Sequence, residues 1–205
     1  MEEQCILKVG DKVPDFTMQA YLPAKGDFSE ISFSEIQKSG KWLVLYFYPA
    51  DYTFVCPTEL ADVGGIYPQL QKENVELVAI STDTHFVHYA WQQHEKLLAD
   101  IKYPMGADPT HVVSKAFGVY DEASGLALRG TFVINPEGVI QGSEVNYFPV
   151  GRNSDELLRK FKAFKYVSEN PQQVCPAKWE KGKQTLVPGK DIVGKVGEQL
   201  SAAKV

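Results

Sequence analysis

Cysteine is scarce in this chain: Cys5, Cys56 and Cys175 are the three in 205 residues. An odd, sparse set is no disulfide framework and points instead to redox or catalytic use. Neither Cys56 nor Cys175 has a second cysteine or a histidine nearby at metal-ligand spacing, so a zinc site is not expected. There is no Cys-x-x-Cys, which a thioredoxin-like disulfide exchanger would carry. Long basic runs are lacking too, and the net charge is −5. Nucleic-acid binding needs clustered Lys and Arg and is disfavoured. No stretch approaches the roughly 18 apolar residues of a spanning helix, so no membrane association is expected. The chain opens Met1-Glu2-Glu3-Gln4 with no apolar core of a signal peptide after it. The expected compartment is therefore the cytoplasm. Repeats and low-complexity linkers are absent as well.

What is there is ordinary for a soluble globular protein, with 44% hydrophobic and 23% charged residues. The length allows one large domain or two small ones and a sizeable core. Residues 9–34 mix Gly, Pro and short apolar runs and read as strands and turns, with a short helix starting near Ser34. Trp42 to Tyr48 is a strongly apolar run, read as a buried strand, and Val75 to Ser81 is a second. Leu60 to Lys72 is helical in pattern, interrupted by Gly64-Gly65. Asp83 or Thr84 can cap a helix reaching about Leu98. Thr110 to Phe117 is a short helix ended by Gly118. Thr131 to Asn135 and Val139 to Val145 are strands joined by the turn Asn135-Pro136-Glu137-Gly138. A helix from Asp155 to Tyr166 follows. The pattern is that of an α/β protein.

The stretch Pro49-Ala50-Asp51-Tyr52-Thr53-Phe54-Val55-Cys56-Pro57-Thr58-Glu59 lies between the first strong strand and the next helix. Cys56 thus stands where a strand hands over to a helix N-terminus. Free backbone N–H groups and the helix dipole favour an anion there, and a thiolate is a nucleophile. A lone cysteine at a strand end is more often a small core residue, and the surrounding residues decide between the two.

Pro49, Thr53 and Cys56 stand in the order Pro-x-x-x-Thr-x-x-Cys, the active-site signature of the peroxiredoxins. With Val174-Cys175-Pro176, the chain resembles the typical two-cysteine branch of that family, and within it the bacterial alkyl hydroperoxide reductase peroxidase subunits. The resemblance runs from Val9-Gly10 to about Gly194. It implies a thioredoxin-like fold of the peroxiredoxin type, with a peroxidase domain over residues 1–165 and a C-terminal arm over 166–205. It implies a thiol-dependent peroxidase that reduces hydrogen peroxide and organic hydroperoxides through a sulfenic acid at Cys56. Cys175 would resolve that sulfenate from the partner subunit of a homodimer, in the decameric ring of this branch.

The implied catalytic set is Cys56, Thr53, Arg129 and Pro49. Thr53, three residues before Cys56, would bring its hydroxyl beside the sulfur by one helical turn. Arg129, in Leu128-Arg129-Gly130-Thr131, would supply a fixed positive charge. Pro49 would shield the sulfur from water. Glu59 and Arg152 match family positions that orient the arginine. No bound cofactor is implied. Reducing equivalents would come from NAD(P)H through a separate flavoprotein disulfide reductase (the alkyl hydroperoxide reductase flavoprotein subunit) or a thioredoxin-like protein.

The chain lacks the Gly-Gly-Leu-Gly insertion and the C-terminal Tyr-Phe pair of peroxide-sensitive relatives, as bacterial members do. His85 and His88 share a helix face without a third metal ligand and read as surface and packing positions. Cys5 lies outside every motif. A non-enzymatic holdase and a one-cysteine peroxidase are the competing readings, and Val174-Cys175-Pro176 argues against the second.

Overall fold

The computed structural model describes residues 6–202, so Cys5 and the last three residues lie outside the described part. By its internal contacts the chain divides after Ser154 into two compact units.

The first unit is built on a seven-stranded mixed sheet in the order β2-β1-β5-β4-β3-β8-β9. Strands β1 (Thr17–Leu22) and β2 (Asp27–Ser32) form an antiparallel hairpin at one edge. Helix α1 (Phe33–Lys38) follows, capped by the Ser32 hydroxyl. The central strands are β3 (Trp42–Phe47) and β4 (Val75–Ser81), paired in parallel. All six residues of β3 are buried. A strand covered on both faces has no polar side, and the unbroken apolar run in the sequence reflects this. Its residues still alternate. Leu43, Leu45 and Phe47 enter a core cluster with Val78, Ile80, Phe117, Phe132 and Ile134, leaving Val44 and Tyr46 for the opposite face.

Helix α2 (Cys56–Lys72) connects β3 to β4 and packs on β4. It buries Leu60, Val63, Ile66, Tyr67 and Leu70 at helical spacing. Burying each such side chain contributes roughly 1.5–3 kcal/mol. That apolar stripe carries the helix through Gly64-Gly65, which the sequence reads as an interruption. Pro68 also lies inside α2. The residue four before it is Gly64, whose carbonyl loses its N–H donor to the proline ring.

Helix α3 (His85–His94) is shorter than the pattern suggested and gives way to a 3-10 turn at Lys96–Leu98. Strand β5 (Met105–Ala107) pairs with β4 and β1. Its Gly106 packs closely, since an added Cβ would lie 2.4 Å from the Met18 sulfur and 3.1 Å from Val78 Cγ1 and would have to displace them. Helix α4 (Val112–Ala116) and the small hairpin of β6 (Tyr120–Asp121) and β7 (Leu126–Ala127) lead to β8 (Arg129–Ile134). Strand β8 runs antiparallel between β3 and β9 (Ile140–Asn146). A parallel β3–β4–β5 core with a returning β8–β9 hairpin is a thioredoxin-like arrangement.

The second unit holds α5 (Ser154–Glu169), an antiparallel bridge between Val174 and Leu186, and α6 (Val196–Ala202). Trp179 is its buried anchor. Its indole N–H donates to Lys183 O and its ring packs against Tyr166. No helix among the described residues is long and apolar enough to cross a membrane.

Candidate active site

Cys56 is the first residue of α2, behind the N-cap residue Val55. Pro57 follows it, where a missing N–H removes no intrahelical bond. The thiol is fully buried. Helix α2 begins four residues earlier than the apolar pattern indicates, because its first turn buries Cys56, Pro57 and Glu59 in place of a hydrophobic stripe.

One turn on, Glu59 is on the same helix face as Cys56, and its carboxylate organises two arginines. Arg129 opens β8 and Arg152 sits in the loop after β9. Arg129 Nη1 donates to Glu59 Oε2 at 2.5 Å and reaches Cys56 Sγ at 3.4 Å, while its Nε donates to Phe148 O at 2.8 Å. Arg152 donates to the other carboxylate oxygen twice, from its backbone N at 2.9 Å and from Nε at 2.8 Å. Its Nη1 donates to Gly130 O at 2.8 Å and to Thr131 Oγ1 at 3.1 Å. The three charged side chains are 1–4% exposed. Gly151 allows this approach, since a Cβ there would press on Val55 and Glu59.

The Arg152 guanidinium also lies 3.4 Å from the centre of the Tyr46 ring, a cation–π contact from the far face of β3. Burial pushes the Tyr46 hydroxyl far up, with Arg152 opposing, so it stays protonated. Only the alternation along β3 could have pointed to Tyr46 from sequence.

The other expected residues fall nearby, with one correction. Thr53 does not sit one helical turn before Cys56. It lies in the loop ahead of α2, and its hydroxyl donates to Ala50 O at 2.8 Å. The proton is committed to that carbonyl, so the oxygen is left to accept. Pro49 is buried at the start of the same loop. Tyr52 holds φ at +54° in it, a left-handed conformation that costs a non-glycine residue on the order of 1–3 kcal/mol.

His88 takes a packing position. It is completely buried, with Nδ1 2.8 Å from Asp51 Oδ2 and Nε2 3.1 Å from Gly106 O. Asp51 was not singled out by sequence, although it stands inside the motif stretch. His85 lies tilted against Phe86, with ring centres 4.0 Å apart.

Cys175 belongs to the second unit, next to the Val174–Leu186 bridge, and is partly buried. Burial pushes its thiol up from the usual cysteine range, with Arg159 opposing. Arg159 is held by Glu156 and by the Trp179 carbonyl. Cys175 lines an apolar groove with Ala163, Phe164, Val167 and Val174.

The clamp makes a stability prediction. Glu59→Ala leaves two buried guanidinium groups without their carboxylate. Breaking a buried pair by removing one partner costs about 3–5 kcal/mol. Urea unfolding of the reduced protein should show a loss of that order. A loss below about 1 kcal/mol would mean that the cluster is already satisfied by water.

A strand-to-helix cysteine facing a clamped arginine, on a thioredoxin-like sheet, defines a thiol-based redox enzyme. Residues 9–143 match the AhpC/TSA family, and residues 163–199 match the C-terminal domain of 1-Cys peroxiredoxin. The chain belongs to the AhpC/TSA family and is a peroxiredoxin, a thiol-dependent peroxidase. It is 48% identical over 188 residues to the alkyl hydroperoxide reductase C of Staphylococcus aureus, covering 92% of this chain and 98% of the relative. The crystal structure of Enterococcus faecalis AhpC superposes with a TM-score of 0.78 at 45% identity, covering 82% of this chain and 98% of that one. Reduced 2-Cys peroxiredoxin from Plasmodium vivax gives 0.85 at 33% identity, with 94% and 98% covered.

Proposed function

We propose that this chain is the peroxidase component of an alkyl hydroperoxide reductase system, acting on hydrogen peroxide and organic hydroperoxides. The observation that carries the reading is the contact of Arg129 with both Cys56 Sγ and Glu59. Two buried guanidinium groups face one carboxylate, so a thiolate at Cys56 completes the charge balance of the cluster.

In this reading the Cys56 thiolate attacks one oxygen of R–O–O–H. The S–O bond forms as the O–O bond breaks, and the other oxygen leaves with the electron pair and takes a proton as alcohol or water. Arg129 stabilises the negative charge passing from sulfur to oxygen. Thr53, whose own proton goes to Ala50 O, accepts from the hydroperoxide O–H and orients it. Pro49 keeps water from the sulfur. Glu59 and Arg152 fix the Arg129 guanidinium. Cys56 is left as a sulfenic acid.

Cys175 is the proposed resolving residue. Its thiolate attacks the Cys56 sulfur, an S–S bond forms and the S–O bond breaks to release water. Cys56 is fully buried at the head of α2, so the loop before it must open first. We place Cys175 on the partner subunit of a homodimer, within a decamer, with residues 1–165 as the peroxidase domain and 166–205 as the arm. The apolar groove beside Cys175 supports an arm that docks on a second copy. The disulfide would be reduced in the cytoplasm by an NAD(P)H-dependent flavoprotein or a thioredoxin-like partner, with no cofactor bound to this chain.

Non-reducing electrophoresis after one equivalent of peroxide tests the reading. Wild type should run as a covalent dimer, while Cys56→Ser and Cys175→Ser should each stay monomeric. Because burial raises the Cys175 pKa, its thiolate is scarce at neutral pH. The disulfide step should therefore accelerate as pH rises through and beyond about 8.5, the ordinary cysteine value. A rate independent of pH between about 6.5 and 9 would remove Cys175 thiolate attack as the slow step.

A further inference from the structure

We propose that the buried Tyr48–Asp51–His88 network is the positioning device that holds the loop of Thr53 and Cys56 closed, and that its release admits Cys175 to Cys56. The inference rests on the peroxidase reading above and concerns its timing.

Tyr48 Oη donates to Asp51 Oδ1 at 2.7 Å. His88 Nδ1 lies 2.8 Å from Oδ2. The Asp51 backbone N–H donates to Asp83 Oδ2 at 2.8 Å, and Ser81 Oγ donates to the same oxygen at 2.9 Å. One loop residue is thus tied to the end of β3, to α3 and to the end of β4. The His88 and Asp51 side chains are 0% and 1% exposed. His88 Nε2 faces only the Gly106 carbonyl, so that nitrogen carries a proton. The remaining proton lies on the line between Nδ1 and Oδ2. In either place the pair is neutral overall and fully hydrogen-bonded, which favours its persistence in a dry interior.

The loop that this network holds is under strain. Tyr52, next to Asp51, has φ +54°, and such strain persists only where surrounding contacts over-determine it. Beyond Tyr52 the chain leaves the interior, and Phe54 is 93% exposed. Two residues later Cys56 is fully buried. The Ala50 carbonyl that receives the Thr53 proton immediately precedes Asp51. The network therefore fixes the group that orients peroxide. It opposes the strained turn beside it, and letting go of Asp51 lets the turn relax and the head of α2 open.

Closing the loop favours peroxide attack and opening it favours disulfide formation, so loosening the network must move the two rates in opposite directions. A general loss of structure cannot do that. Stopped-flow kinetics on the reduced, assembled protein separate the two steps. His88→Leu should lower the second-order peroxide constant at least about tenfold, since small misplacements at a reacting centre cost that much. It should raise the first-order disulfide constant several-fold. His88→Asn, which places an amide N–H near the position of Nδ1, should restore both constants to within about threefold of wild type. Tyr48→Phe removes the hydroxyl that contacts Asp51 and His88 but keeps the ring and the Asp51–His88 pair, so it should shift both constants in the same two directions by less. It also decides the matter if His88→Leu does not fold. Constants within about twofold of wild type in the folded variants, or both constants falling together, would overturn the inference. Absence of both steps in wild type would strike the peroxidase reading itself, and this inference with it.

Discussion

Replacing Cys56 by serine should abolish peroxide consumption, a loss of at least about 10⁴-fold against wild type. The variant should fold. Serine is close to cysteine in size, and its buried hydroxyl still has Arg129 Nη1 beside it as a donor, so the cost of burying a polar group is largely met. The loss is chemical, because a hydroxyl is not ionised at neutral pH and its oxygen is a poor nucleophile toward peroxide. Ferrous–xylenol orange readout of residual peroxide, alongside a thermal melt, separates the two effects. Turnover within a few-fold of wild type would move the attack to another residue. The melt should stay within a few degrees of wild type.

Arg129→Leu should be the next most damaging change. It removes the one cation among the described residues in contact with the sulfur and breaks three bonds at once, to Cys56, Glu59 and the Phe148 carbonyl. Removal of a preorganised donor from a site of developing charge costs about 10²–10³ in rate. Leucine retains apolar volume, and Glu59 retains Arg152, so the fold keeps one half of the clamp. Arg129→Lys should recover little of the rate, since a single ammonium cannot meet Phe148, Glu59 and Cys56 with the geometry of a planar fork. The measurement is the second-order constant with hydrogen peroxide under single-turnover conditions. A lysine variant within about threefold of wild type would show that charge alone matters and that the fork does not.

The parts of this fold that were legible in the sequence are those with an unambiguous local pattern. Strand β4 matches the apolar run at Val75–Ser81 residue for residue, and β3 fails by one, ending at Phe47. Strand β5 was missed. Its three residues Met105, Gly106 and Ala107 carry no periodicity, and they are a strand only because β4 and β1 flank them. The Gly64-Gly65 break in α2 was misjudged because burial of Leu60, Val63 and Tyr67 outweighs glycine's poor helix propensity.

At the site, the resemblance to the peroxiredoxins pointed to Cys56, Arg129, Glu59 and Arg152. It held no information on who bonds to whom, because those contacts span 70 to 93 positions. Thr53 was placed wrongly by assuming that the helix had already begun. The sequence leaves surface and packing open for His88, because its partner, Asp51, lies 37 positions away.

Those same long separations have a consequence for the life of the chain at the ribosome. Glu59 emerges early, yet Arg152 follows it by 93 positions. Until that residue has left the exit tunnel and β8 has paired with β3, Cys56 has neither its clamped cation nor its burial. A nascent or truncated chain therefore carries Cys56 without its Arg129 contact, which forms only once the strands of the sheet have assembled. In the peroxidase reading proposed above, an unfinished molecule thus lacks the contact that would direct its thiol at peroxide.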